Sequence, residues 1–72
     1  VNVAGYSSAG ELTPRMLDVL RAGARGSSVE ATARELGVSR ATVRTVRAAA
    51  RARLGVSTTT AAIVEAYRRG VL

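Results

Sequence analysis

The sequence predicts an all-α fold, a small four-helix bundle. Two observations carry this. Apolar residues recur at helical spacing, with no alternation that reads as a strand. Each periodic stretch opens on Ser or Thr and most close on Gly, the usual start and stop signals of helices. The 72 residues make one domain. Residues 1–10, VNVAGYSSAG, have no helical period and carry Gly5, Ser7, Ser8 and Gly10, so they read as a flexible arm. Residues 11–72 form the domain.

The first helix starts at LTPRML. Thr13 is an N-cap, and Pro14 occupies the first helical position, where its missing N–H costs nothing. Leu12 and Leu17 are spaced as a hydrophobic staple. Met16, Val19, Leu20 and Gly23 form the inward stripe, and Gly26 stops the helix. The second helix is capped by Ser27 or Ser28. Glu30 lies in its first turn, Ala33 and Leu36 face inward, and Gly37 ends it in the left-handed conformation. The third helix follows the N-cap Ser39 and ends at Leu54–Gly55. Only Gly37, Val38 and Ser39 join it to the second, a helix-turn-helix signature. One of Ser57 to Thr60 caps the fourth helix, which carries Ile63, Val64 and Tyr67.

Composition narrows the function. His and Cys are absent, which removes His/Cys metal sites and His-based catalysis. The five acids show no ligand spacing, so neither an enzyme nor a cofactor or metal is expected. No apolar run reaches the length of a membrane span. The absence of Cys fits a reducing cytoplasm, the compartment expected here.

The net charge is +6 and all eleven basic residues are Arg. Residues 1–35 hold four Arg and four acids; residues 36–72 hold seven Arg and one acid. Charge gathered in one half points to a polyanionic partner.

That charge centres on the third helix, where Arg40, Arg44, Arg47, Arg51 and Arg53 occur with no acid among them. At about 100° per residue, Val43, Val46, Ala50 and Leu54 face the core. Arg40, Arg44, Arg47 and Arg51 fall within roughly 60° of one another on a flank. Ala41, Thr45, Ala48 and Ala52 lie opposite the core. Small side chains let a helix backbone approach bases, and Arg binds guanine or phosphate. The pattern suits a helix in the major groove of double-stranded DNA, with Arg44 the leading candidate for base contact. The bland reading is a solvated basic face whose arginines have no local partner.

These residues resemble a family. LTPRMLDVL, ARELGVSRATVR, RLGV and AIVEAYRRGVL, in register from Leu12 to Leu72, look like the LuxR/GerE-type DNA-binding domain; the form expected is a stand-alone one, without the upstream sensor or receiver domain of larger members. The resemblance implies that the third helix recognises DNA and that Arg44, Thr45 and Ala48 face bases. It implies phosphate contacts for Ser28, Thr42, Arg47 and Arg51; Arg40 joins them by its place in the stripe. It also agrees with a weak homodimer through Ile63, Val64 and Tyr67, which offer more apolar surface than so small a core needs. The sequence departs from the family pattern at Met16, Ala31, Val46, Ala49 and Thr59, each replacing a usual polar residue.

The function expected is sequence-specific transcriptional regulation in a bacterium, with RNA polymerase a further candidate partner. Two alternatives stand beside it: a phage or mobile-element regulator of lysogeny or excision, and an adaptor resembling the promoter-binding region of a sigma factor. A basic membrane-surface helix fits less well, because Leu and aromatics are sparse on the cationic helix.

Overall fold

The computed structural model describes residues 11–72. The arm expected over residues 1–10 lies outside them. Four helices follow in order: α1 Pro14–Ala24, α2 Val29–Leu36, α3 Arg40–Leu54 and α4 Thr59–Arg68, with no strand among the described residues.

The helix boundaries are set by local chemistry. Thr13, Ser28, Ser39 and Thr58 each adopt an extended backbone and accept a hydrogen bond from the amide three residues on, at 3.0–3.1 Å. Each bond satisfies one of the orphan donors at a helix start. Of the two candidate caps for the second helix, Ser28 fills the position; for the fourth it is Thr58. At the other end of α2, Gly37 turns at φ 70°, and the Val38 amide donates back to the Ala33 carbonyl at 3.0 Å. A side chain at Gly37 would strain this left-handed backbone, which is what allows α3 to start after only three residues.

α3 is the element around which the others pack. One cluster joins Met16 and Leu20 of α1, Ala50 and Leu54 of α3, and Ala62 and Ala66 of α4. A second joins Val19 of α1, Ala33 of α2 and Val43 of α3. Val46, partly buried, packs against both clusters. The inward stripes read for the first three helices hold, with Ala22 and Thr32 added, whereas α4 is buried through Ala62 and Ala66, which the sequence reading did not single out.

Two departures from the family pattern acquire a structural sense. Met16 is in the core, where a polar side chain without a partner would be costly to bury. Val46 has the same role at the junction of the two clusters. Between α1 and α4, Gly23 allows a close approach: a Cβ there would stand 3.2 Å from Ile63 Cδ1. Thr32 is fully buried, and its hydroxyl has no hydrogen-bond partner among the described residues.

Candidate nucleic-acid interface

The helix-turn-helix places α3 against the bundle by one face and leaves the opposite face in solvent. Ala41, Arg44, Thr45, Ala48 and Ala52 are all exposed. The sequence reading of this helix, core on one side and a small-residue face on the other, is what the structure has.

The arginines of the stripe differ in how they are engaged. The sequence reading gave them no partner within the helix, and the structure agrees; for three arginines of this helix, partners come from neighbouring elements. Arg40 Nη1 donates to Glu30 Oε2 of α2 at 2.9 Å. Arg51 Nη1 donates to the Thr59 hydroxyl of α4 at 3.2 Å. Arg53, on the other flank of α3, donates to the Glu11 backbone carbonyl. None of these acceptors lies within the helix, so spacing along α3 carried no trace of them.

Arg44 and Arg47 make no hydrogen bond or ion pair among the described residues. Arg44 is exposed. Arg47 is partly buried, with its Nε fully covered and unpartnered. Outside α3, Arg15 and Arg34 are also unpaired among the described residues, while the others have acidic partners. Arg25 pairs with Glu35 at 2.8 Å, and Arg68 and Arg69 pair with Glu65 at 2.6 and 2.9 Å. The hydrogen bond from Arg69 does most to hold the Glu65 carboxyl below its ordinary range; desolvation opposes it, and the Arg68 hydrogen bond and the charges of both arginines add to the lowering.

Two hydroxyls stand at helix starts, Ser28 at the N-cap of α2 and Thr42 in the first turn of α3. Ser28 is exposed and accepts the Ala31 amide at 3.0 Å. Thr42 Oγ1 lies 2.9 Å from Ser39 Oγ, which itself accepts the Thr42 amide at 3.0 Å.

The residues expected at a dimer contact separate. Val64 is 52% exposed and Tyr67 58% exposed; Val71, past the helix end, is 41% exposed. Tyr67 is therefore not a core residue. Ile63 instead packs on the first cluster beside Gly23. Val71 follows the end of α4 and left-handed Gly70, so helical spacing from Tyr67 does not relate the two.

A short turn, a helix seated on the bundle and an outward face of small residues and unpaired arginines define a helix-turn-helix DNA-binding domain. Residues 10–66 match the family model of the bacterial regulatory proteins, luxR family (GerE). The chain belongs to that family, whose members are DNA-binding transcription regulators. No curated protein and no solved structure matches it. No helix among the described residues is long and apolar enough to cross a membrane.

Proposed function

We propose that the protein is a sequence-specific regulator that reads double-stranded DNA by inserting α3 into the major groove. The observation that carries this is the pairing of unengaged Arg44 with the exposed small face of Thr45 and Ala48. Arg44 is the base reader, able to donate two parallel bonds to guanine, while Thr45 and Ala48 bring the helix close and offer methyl groups to thymine.

Phosphate contacts fall to Ser28, Thr42, Arg47 and Arg51; Arg40, expected beside them from its place in the stripe, is instead engaged by Glu30 and is not counted among them. The hydrogen-bond direction favours Ser28. Ser28 Oγ accepts an amide and keeps its proton to donate. If Ser39 donates its proton to Thr42 Oγ1, the Thr42 proton is likewise left for a phosphate oxygen. Arg51 keeps its full charge while bonded to neutral Thr59.

α4 supplies a weak homodimer contact. Val64 and Tyr67 are its exposed centre, with Ile63 beneath them. Two copies then read half-sites about 34–36 Å apart, one turn of DNA.

Selection of duplexes from a random library by the purified protein tests the reading. Enrichment of a short motif, repeated one turn apart, is expected. Recovery of DNA with no sequence preference, or none at all, overturns it.

A further inference from the structure

From the Arg40–Glu30 pair we infer that Glu30 sets how strongly the domain grips DNA of any sequence, by withholding Arg40 from phosphate. The inference rests on the proposed DNA binding by α3 and concerns a residue outside that contact set.

Arg40 is the first residue of α3. The N-terminal end of a helix carries partial positive charge, so a guanidinium there is repelled unless an anion stands beside it. Glu30, in the first turn of α2, provides that anion at 2.9 Å across the helix-turn-helix. Its carboxylate also favours the start of its own helix.

The pair is not a buried anchor: the two side chains are 58% and 63% exposed. Exposed pairs add little to stability, because solvent screens them and ordering two long side chains costs entropy. Its main consequence is the local cancellation of charge. A DNA phosphate offers Arg40 the same chemistry as Glu30, so carboxylate and phosphate compete for one guanidinium. While Glu30 holds it, α3 approaches DNA with Arg44, Arg47 and Arg51 as the charged members of its stripe. No acid is paired to any of these three, so the competition is confined to the start of the helix.

Each phosphate contact releases counterions and steepens the fall of affinity with salt by about 0.9 in the log–log slope. Removing the competitor adds one such contact. Glu30→Gln, Arg40→Ala and the double variant are therefore compared with the wild type for binding to a random-sequence duplex across a potassium chloride series. Glu30→Gln is expected to steepen the slope by about 0.9 and to tighten binding about five- to tenfold near 0.1 M salt. Arg40→Ala alone, and the double variant, should keep the wild-type slope, and Glu30→Asp should keep it too. An unchanged slope in Glu30→Gln overturns the inference. So does a weakened Glu30→Gln without steepening, which marks Glu30 as a support for α2 alone. A slope reduced by about 0.9 in Arg40→Ala also overturns it, because Arg40 then already holds a phosphate in the wild type. Wild-type protein that binds no duplex overturns this inference and the proposed function together, whereas a binding wild type with an unchanged Glu30→Gln overturns the inference alone.

Discussion

α3 and α4 both turn an arginine-bearing face to solvent, yet they are chemically different surfaces. On α4, Arg68 and Arg69 share Glu65, three and four residues away, and the uncovered side chains are Val64 and Tyr67. On α3 no acid occurs in the helix, and the uncovered side chains are Ala41, Thr45, Ala48 and Ala52 beside unpaired Arg44. The lesson is that a run of arginines does not measure available charge. What decides is whether an acceptor stands within reach, in the helix or across a turn. By that criterion α3 is suited to a polyanion and α4 to an apolar partner.

The largest effect separates the inner side of α3 from the outer side of α4. Leu54, 5% exposed, lies in the first cluster, so Leu54→Ala should cost about 2–5 kcal/mol, a large share of the stability of so small a domain. Val64→Ala, on the open side of α4, should stay within about 0.5 kcal/mol. Urea unfolding of the two variants checks the contrast. Equal losses would mean that α4's outer face is already covered in the free protein.

Next in size is the proposed dimer contact. Val64→Arg combined with Tyr67→Arg should leave the monomer folded and abolish cooperative occupation of paired half-sites. Ile63→Arg is a poorer probe, because Ile63 packs beside Gly23 and its loss disturbs the bundle. Sedimentation on a two-half-site duplex reads the stoichiometry. A double variant that still fills both sites cooperatively would break the assignment of α4.

Arg51 sharpens the comparison from the side of α3. Arg51→Ala should weaken selected and scrambled duplexes by the same factor and lower the salt slope by about one, as loss of a phosphate contact does. Unequal weakening of the two duplexes would make Arg51 a base reader.

The smallest effects belong to the compensated charges of α4. Arg68→Ala should leave DNA binding and its salt slope unchanged. Glu65 titrates below its ordinary range in the folded chain, so its contribution to stability is present above the unfolded-state pKa and is lost as pH falls through the lower folded-state value. Glu65→Gln should therefore flatten the acid limb of the stability curve slightly, measured by thermal unfolding across acidic pH. An unaltered limb would show that the Arg68 and Arg69 pairs are too screened to register.

Much of the fold was legible because its signals are local. Thr13–Pro14, Ser39 and the stops at Gly37 and Gly55 fix helix ends through bonds to residues three to five apart. Apolar spacing on α3 identified Val43, Val46, Ala50 and Leu54 as the side that packs. The interface was legible only in outline. The stripe and the small face follow from helical geometry, but the engagement of Arg40 by Glu30, of Arg51 by Thr59 and of Arg53 by the Glu11 carbonyl depends on how separate elements pack. Glu30 and Arg40 are ten residues apart, a separation at which no helical rule applies. Ile63 shows the same limit: its spacing matches that of Val64 and Tyr67, and only the close approach of α4 to Gly23 takes it inward.

The central claim is that Arg44 reads a base from α3. Its most direct test is the binding of wild type and Arg44→Ala to a selected duplex and to its scrambled counterpart. Arg44→Ala should lose about 1–3 kcal/mol on the selected duplex, with preference flattened at one base step per half-site, and much less on the scrambled one. Equal loss on both duplexes would contradict base reading by Arg44, and no loss on either would make the stripe a solvated face.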